Sequence, residues 1–469
     1  MRPLAAYLGS LNPRLPRPVK ALQAGALVNA FGNGLAYPFL FIYLHEVRGI
    51  GLGLTGLIVA TNSAVGLVAG PASGVLVDRF GGRRMLVVAL VLSTVGYGAY
   101  PWVHAPWQGF LASAVAGAGN GAFWPSQSTL ISGLTSAEQR PSAFAVQRIM
   151  MNLGIGLGAM AGGFIASTAD PGTFTVLFLA DAATFFGYIG ALAFVPSPAR
   201  AKPQAGEPRG SYRDVLKHRV FLGVLGVNFL LIAAGIALFE VFPAYAKKEA
   251  GVSEVGIGWI FLVNTVLIVI FQLPIAKLLE GRRRMRSLAA VAGVWALSWL
   301  LVPVVAGAAS GVRATVLLAA VVGIFAIGEC LHGAVQAPLV SDLADHRLIG
   351  RYMAASAFSW QVAFAVSPAA AGFVLAASPP ALWIGAAAVL VIAGAAALGL
   401  EGALPRSDPA NAEPRPRARA RRGSLPQGLR RRMTNSTMPI DDPLSTDAEP
   451  AANQASAPRA RSRAGVCAR

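Results

Sequence analysis

Gly74-Val75-Leu76-Val77-Asp78-Arg79-Phe80-Gly81-Gly82-Arg83-Arg84 separates two long apolar runs of the chain and decides how they fold. We expect an apolar helix to end at Asp78 and the next helix to begin at Met85. Gly81 and Gly82 can take the positive φ angles that a tight reversal requires. Gly74 and Asp78 are four residues apart, so they share one helix face. The three arginines would hold this loop on the cytoplasmic side of a membrane.

These residues resemble the loop signature of the major facilitator superfamily, G-x-L-x-D-R-x-G-R-R, which lies between transmembrane helices 2 and 3. Gly74, Leu76, Asp78, Arg79 and Gly81 match the signature. Gly82 stands where a basic residue is usual, and Arg83 and Arg84 follow. The resemblance implies a gating role for this motif, in which Asp78 caps the approach of helix 11 and stabilises one state of the gate. A carboxylate near a helix N-terminus gains from the helix dipole.

The composition is that of a membrane protein. Of the 469 residues, 55% are hydrophobic and only 13% are charged, whereas about a quarter of the residues of soluble proteins are charged. The net charge of +18 does not indicate nucleic-acid binding, because the basic residues lie in short loops and in a tail that follows Gly402. The two cysteines, Cys330 and Cys467, provide no disulfide framework.

Twelve apolar runs are long enough to cross a bilayer core of about 30 Å. They are residues 21–44, 53–77, 85–104, 108–132, 142–167 and 174–196, then 219–245, 255–278, 288–307, 314–340, 352–376 and 381–401. We therefore predict an all-α polytopic membrane protein with two pseudo-symmetric six-helix bundles, the fold of the major facilitator superfamily. The predicted parts are a cytoplasmic segment 1–20, the bundles 21–196 and 219–401, a cytoplasmic linker 197–218, and a basic, disordered cytoplasmic tail 402–469.

Weak internal repeats support the two bundles. Shifts of 200, 202 and 209 residues align Gly81 with Gly281, Gly49 with Gly251, Asn62 with Asn264, and Gly163 with Gly372. In transporters built from two parallel repeats, the substrate site lies between the repeats near the membrane midplane.

The distribution of basic residues predicts the orientation. With the N-terminus inside, inner loops and termini hold 33 of the 39 Lys and Arg residues. The outer loops keep Arg48, Lys247, Lys248 and Arg313. By the positive-inside rule, both termini are cytoplasmic, in a multi-pass protein of the plasma membrane.

The fifth helix carries Gly154, Gly158, Gly162 and Gly163, which resemble the antiporter signature G-x-x-x-G-P-x-x-G-G, with Ala159 in place of proline. Helix packing explains these glycines equally well, because small residues four apart let backbones approach closely. On the fourth helix, Ser113 stands where many proton-coupled drug exporters have an arginine. Arg148 on the fifth helix is the nearest intramembrane substitute.

In this family, helices 1, 4, 7 and 10 line the central cavity. Polar residues on three of these helices recur every three or four positions, which gives one polar stripe per helix. Such groups must face protein or water, because lipid cannot satisfy them. The substrate-cavity candidates are Asn29, Asn33, Tyr37, Asn120, Trp124, Gln127, Asn228, Gln336 and, on the eleventh helix, Trp360.

Five intramembrane residues are candidates for proton coupling: Glu329, His332, Arg148, Asp181 and Glu240. Glu329 and His332 share one face and can pass a proton, or they form a hydrogen-bonded pair that locks helix packing. Arg148 contacts a substrate anion or a cavity carboxylate, or it extends to the cytoplasmic interface. Asp181 also fits a structural hydrogen bond, and Glu240 also fits a solvated outer position. One Glu-x-x-His copy is too little for a di-metal site, so no metal is expected.

The favoured function is a secondary transporter that exports a small amphipathic or cationic organic compound in exchange for protons. One alternative is an importer of a sugar, an organic acid or another metabolite, with Arg148 as a substrate ligand. Another is a transport-dead receptor or scaffold. No nucleophile-elbow, zinc-protease or P-loop motif occurs, so we expect neither an enzyme nor a cofactor. The expected partners are the substrate, protons and the lipid bilayer, without nucleic acid, and the expected state is a monomer.

Overall fold

A computed structural model describes residues 15–136, 139–197, 212–279, 281–344 and 348–403. Most of the predicted N-terminal segment and linker, and the tail from residue 404, lie outside these residues. All regular structure within the described residues is helical. The helices are α1 (Arg17–Ile42), α2 (Leu52–Phe80), α3 (Gly82–Gly98), α4 (Pro106–Leu134), α5 (Arg140–Ile165), α6 (Gly172–Leu192), α7 (Tyr212–Lys217), α8 (Arg219–Ala234), α9 (Phe242–Ala250), α10 (Glu254–Leu279), α11 (Arg284–Ala308), α12 (Gly311–Leu343), α13 (Ile349–Ala377) and α14 (Pro379–Ala403).

Each of the twelve predicted spans is represented among the described helices. Eleven helical segments are long and apolar enough to cross a membrane. The exception, α4, has 29 residues, but glycines and polar side chains such as Asn120 and Gln127 lower its hydropathy. It packs against α2 and α3. The chain is thus an all-α polytopic membrane protein, as the sequence predicts.

The turn that follows α2 corrects two expectations. The helix continues to Phe80 rather than ending at Asp78, and α3 begins at Gly82 rather than at Met85. Gly81 has φ 90°, as predicted, whereas Gly82 is buried in the first turn of α3. A Cβ on Gly82 would lie 2.9 Å from the carbonyl oxygen of Ser126. Gly82 therefore replaces the usual basic residue because α3 and α4 meet closely there.

Two of the repeated glycine pairs have positive φ angles. Gly81 and Gly281 have φ 90° and 73°, and Gly49 and Gly251 have φ 67° and 59°. These are left-handed conformations in which a glycine is strongly favoured. The sequence repeat therefore reflects equivalent turns in the two halves.

The seventh span is broken, although the sequence predicts a continuous helix over 219–245. Helix α8 ends at Ala234, Ile236–Glu240 form a 3₁₀ turn, and α9 begins at Phe242. Two freed carbonyls have partners elsewhere: Ser367 Oγ donates to Ala233 O (2.6 Å) and Trp299 Nε1 donates to Ala234 O (2.7 Å). Non-helical backbone is tolerated at membrane depth when its polar groups are satisfied in this way.

The two halves meet along two helix pairs, α2 with α13 and α5 with α10. Gly56 faces Pro368 and Gly372, and Gly163 faces Gly258. In the fifth-helix motif, Gly154, Gly158 and Gly162 instead face the backbone of α1 within the same half. Close packing therefore accounts for all four glycines of that motif.

The halves diverge toward one end of the bundle. We call the end with Arg79, Arg83 and Arg283 the basic end, and the end with Tyr43, Lys247 and Glu254 the far end. On α2, Gly53 packs against α13, and a Cβ on Gly66 would lie 3.5 Å from Gln361 Nε2. A Cβ on Gly74, near the basic end, would meet nothing within 4 Å. The structure is therefore closed at the far end and open at the basic end.

Replacing Gly158 by leucine should lower the thermal unfolding temperature of the purified protein. The new side chain would collide with the backbone of Phe31 on α1, and overpacking of this kind costs about 1–3 kcal/mol. The matched control is Gly190→Leu, because a Cβ on Gly190 has no neighbour within 4 Å. Thermal unfolding in one detergent should separate the two variants. Equal unfolding temperatures for both variants and the wild type would contradict the packing account.

Candidate functional site

Tyr37 and Glu240 join the two halves toward the far end of the bundle. The hydroxyl of Tyr37, on α1, donates a hydrogen bond to the carboxylate of Glu240, in the 3₁₀ turn of the seventh span. Glu240 is half-buried. The side chain of Tyr37 remains 40% exposed, which agrees with its predicted place in the cavity wall.

A cluster of amides and a tyrosine lies in the N-terminal half. Asn120 Nδ2, on α4, donates to Asn62 Oδ1 (3.1 Å) and to the hydroxyl of Tyr97 (3.4 Å). Asn62 Nδ2 also donates to that hydroxyl (3.3 Å). Asn62 and Tyr97 were not among the cavity candidates, because they lie on the second and third helices. The repeat that aligns Asn62 with Asn264 was the available signal.

Other candidates in this half are used for packing. Gln127 is fully buried, donates to Tyr188 OH (2.6 Å) and accepts from Gln147. Its amide ties α4 to α5 and α6 and does not face open space. Asn29 is also buried, at 4% exposure. By contrast, Trp124 on α4 is 47% exposed, and Asn33 is half-buried.

Asp181 is buried in α6 and packs against α1. A Cβ on Gly32 would lie 2.7 Å from Asp181 Oδ1, and this oxygen has no hydrogen-bond partner. Asp181 therefore sits inside the N-terminal half, behind the cavity wall, which agrees with the predicted peripheral position of its helix.

A chain of buried hydrogen bonds ties α8, α12 and α13 together in the C-terminal half. Asn228 Nδ2 donates to Ser359 Oγ (2.8 Å), so Asn228 Oδ1 is the acceptor for His332 Nε2–H (3.0 Å). Ser359 Oγ donates to Ser356 O (2.8 Å), and Gln336 Nε2 donates to Ser356 Oγ (3.1 Å). His332 is 2% exposed and lies 5.6 Å from the ring of Trp360. His332 and Asn228 therefore join α8 to α12 by a buried hydrogen bond.

Glu329 faces a different neighbour. Its Oε2 accepts a hydrogen bond from Asn264 Nδ2 on α10 (2.7 Å), whereas His332 is bonded to α8. The direct Glu329–His332 pair that the sequence suggests is therefore not formed. The shifts of 202 and 209 residues align Asn62 with Asn264 and Asn120 with Glu329. Each half therefore has a side-chain hydrogen bond between its second and fourth spans at equivalent positions.

Arg148 reaches from α5 to the opposite half instead of extending to the basic end. A Cβ on Gly333 would lie 2.7 Å from Arg148 Nη2 and 3.4 Å from Gln272 Oε1. The side chain is exposed. It therefore belongs to the cavity and faces the C-terminal wall, one turn from Glu329 along α12.

An ion-pair cluster closes the far end between the halves. Lys247 Nζ on α9 lies 2.6 Å from Glu254 Oε1 and 3.6 Å from Glu46 Oε2, and donates to Thr168 Oγ1 (2.9 Å). The backbone N–H of Thr168 also donates to Glu254 Oε1 (3.1 Å). Lys247 and Glu254 are only 16% and 14% exposed. Because Thr168 and Glu46 belong to the N-terminal half, the cluster must come apart for this end to open.

The gating motif lies at the open basic end. Asp78, Arg79 and Arg84 are exposed, and Arg83 Nε donates to Leu192 O (3.0 Å). The predicted role of Asp78 at the N-terminus of helix 11 requires this end to close, so it stays a prediction. Within the described residues no group of His, Cys, Asp or Glu side chains could hold a metal ion.

Apolar helices in two halves that enclose a polar centre define a secondary transporter. The family model of the Major Facilitator Superfamily matches residues 24–253 and 241–440. The chain belongs to this superfamily, and it is a multi-pass membrane protein.

Named relatives and solved structures agree with this family. An MFS-type transporter of Bacillus subtilis, YqjV, is 25% identical over 71% of this chain and 81% of its own length. Multidrug resistance protein MdtH of Cronobacter sakazakii is 24% identical over 69% and 77%. The nucleoside transporter NupG has a TM-score of 0.70 at 11% identity and covers 82% of this chain and 100% of its own. A peptide transporter, POT, has 0.68 at 15% identity, over 83% and 95%. These structures share the fold.

Replacing Lys247 by alanine should loosen the far end, because Glu254 and Thr168 lose the cation that joins them. Spin labels at Ala169 and Arg313, on a cysteine-free background, would report the separation of the halves. We expect a longer mean distance between the labels, and a broader distance distribution, in Lys247→Ala than in the wild type. The control is Lys248→Ala, an exposed neighbour outside the cluster. The same distance change in both variants would contradict the assignment.

Proposed function

We propose that this protein exports a small amphipathic or cationic organic compound in exchange for protons, by alternating access. The observation that carries the proposal is the position of Glu329. This half-buried carboxyl lies midway along α12, is held by Asn264, and is one helical turn from Gly333, where Arg148 of the other half lies. Intramembrane acids in such positions are usually functional. The relatives named multidrug resistance proteins support the same class of substrate.

Exchange follows from competition for one carboxylate. When Glu329 is charged, it attracts Arg148 across the gap between the halves, and this attraction is strong in surroundings of low dielectric constant. A proton removes the charge, and a substrate cation pairs with it. Proton and cation therefore exclude each other at Glu329, so that binding of one favours release of the other.

The far-end contacts determine when the substrate can leave. In the basic-end-open conformation, Tyr37 bonded to Glu240 and the Lys247 cluster hold the far end closed. Release on that side requires these contacts to break while the basic end closes. The exposed motif residue Asp78 would then meet the N-terminus of α13, which is the gating role expected from the sequence.

Aromatic side chains suit an amphipathic cation. Tyr37 and Trp124 are partly exposed, and Trp360 stacks with Phe364 at 6.3 Å between ring centroids. Ring faces attract organic cations and also bury apolar groups.

A second candidate function is import of an anionic metabolite. The exposed side chain of Arg148 favours it, because a guanidinium in the cavity would pair with a carboxylate or phosphate. Uptake of an organic acid that is lost in Arg148→Gln, without proton movement by cations, would replace the export proposal.

We further propose that the protein is a monomer in the plasma membrane, with both termini cytoplasmic. The excess of Lys and Arg at the basic end of the bundle supports this orientation. A receptor or scaffold without transport remains the alternative from another class, and deletion of the tail from residue 404 tests it. Transport that is untouched by the deletion argues against the scaffold.

Glu329→Gln should abolish proton-coupled transport while the protein still inserts. Glutamine keeps the size and the bond to Asn264 but cannot carry a charge. The measurement is proton movement in vesicles with a trapped pH dye, after addition of tetraphenylphosphonium. The control is Glu249→Gln, which changes an exposed acid on α9. Retained coupling in Glu329→Gln would exclude Glu329 as the coupling group.

A further inference from the structure

Two side chains of α12, Glu329 and Gln336, and one of α10, Gln272, carry hydrogen-bond acceptors near position 333 of α12. Glu329 uses one oxygen for Asn264. Gln272 Oε1 and Gln336 Oε1 are buried and have no hydrogen-bond partner. Positions 329, 333 and 336 fall on one face of a helix, and Gln272 Oε1 lies beside position 333. We call Glu329, Gln272 and Gln336 the acceptor row.

Neighbouring residues fix the direction of both amides. Gln272 Nε2 donates to Cys330 O (3.3 Å) and Gln336 Nε2 donates to Ser356 Oγ (3.1 Å). Because the nitrogens are used, the amide oxygens cannot exchange places with them without losing these bonds. A buried acceptor without a donor is unfavourable, so the row is built for a group that brings N–H donors.

Arg148 lies over the middle of this row. Its Nη2 is next to Gly333, and any side chain at position 333 would displace it, because a Cβ there would lie 2.7 Å away. Within the described residues, however, the guanidinium of Arg148 forms no hydrogen bond or salt bridge. The guanidinium of Arg148, which has five N–H donors, thus lies beside the acceptor row without forming hydrogen bonds to it.

We propose that the acceptor row is the binding site for the cationic N–H group of the substrate, and that Arg148 occupies it as an internal substitute. The inference rests on the proposed export of organic cations and adds the place and chemistry of recognition. The matching head group is a guanidinium or a protonated amine, because its N–H donors can pair with the acceptors of this row. Substrate binding displaces Arg148 and so frees the two halves from one another at this level.

The test is binding of phenethylguanidinium to the full-length protein in nanodiscs, measured by titration calorimetry. Arg148→Gln should bind it at least tenfold more tightly than the wild type, because the internal competitor is gone. Adding Gln272→Leu should remove this gain, since it deletes an acceptor of the row. The control is Arg140→Gln, an exposed arginine on the same helix. It should leave the affinity unchanged.

Two further ligands separate the possible outcomes. Tetraphenylphosphonium is a cation without N–H donors, and phenethylurea is neutral. If Arg148→Gln strengthens binding of tetraphenylphosphonium as much as that of the guanidinium, charge repulsion alone explains the gain and the inference is overturned. If wild type and variant bind the guanidinium equally, the inference is also overturned, while the proposed function stands. If neither protein binds any cation, the proposed function itself fails.

Should Arg148→Gln not fold, Arg148→Lys takes its place. Lysine keeps the charge but is shorter and lacks the planar fork, so it covers the row less completely. We expect Arg148→Lys to bind phenethylguanidinium more tightly than the wild type, but with a smaller gain than Arg148→Gln. An affinity for phenethylguanidinium no higher than that of the wild type would again overturn the inference.

Discussion

Every polar group inside this bundle must find its partner in the protein, because the hydrocarbon around it supplies none. This constraint explains why most polar side chains are paired across helices. His332 bonds Asn228, Gln127 bonds Tyr188, and Asn120 bonds Asn62. Such pairs hold helices together within each half. The exposed side chain of Arg148 and the unpaired Oε1 of Gln272 are then available for a ligand.

The contacts between the halves differ in kind from those within them. Along α2 and α13, glycine faces glycine or proline, as at Gly56 and Gly372. Along α5 and α10, similar glycine contacts are accompanied by Lys247, Glu254 and Thr168 at the far end. Backbones that touch through small residues can separate at little cost, whereas an ion pair of low exposure resists separation. The α5–α10 interface, with its ion pair, therefore stabilises the closed far end more than the α2–α13 interface does.

The fold was predictable because its signals are local and repeated. Apolar runs of membrane length and the loop from Gly74 to Arg84 indicate the helices, and the positive-φ glycines at 81 and 281 mark the same turn twice. The position of Glu329 in its helix was also readable. Its partner was not: spacing places Glu329 and His332 on neighbouring parts of one face, but which adjacent helix each side chain meets depends on packing between distant segments.

The break in the seventh span was missed for a related reason. The predicted run 219–245 contains Pro243, which lies in the first turn of α9, but α8 already ends at Ala234, in an apolar stretch that carries no such signal. The ring of Trp295 occupies the space that a side chain at position 235 would need, so this contact requires a glycine there. The sequence of the seventh span alone does not reveal this contact with the ninth span. Likewise, the role of Gly333 depends on a guanidinium from the other half of the chain.

The same break has a consequence for how the protein is made. Ala233 and Ala234 depend on Ser367 and Trp299 for their carbonyl hydrogen bonds, and both donors are synthesised later. When the seventh span first enters the bilayer, these donors do not yet exist, so the span must stay near water or continue as a plain helix. It takes its final shape only after the ninth and eleventh spans have been inserted. The seventh span is therefore the first of its half to be synthesised but among the last to reach its final conformation.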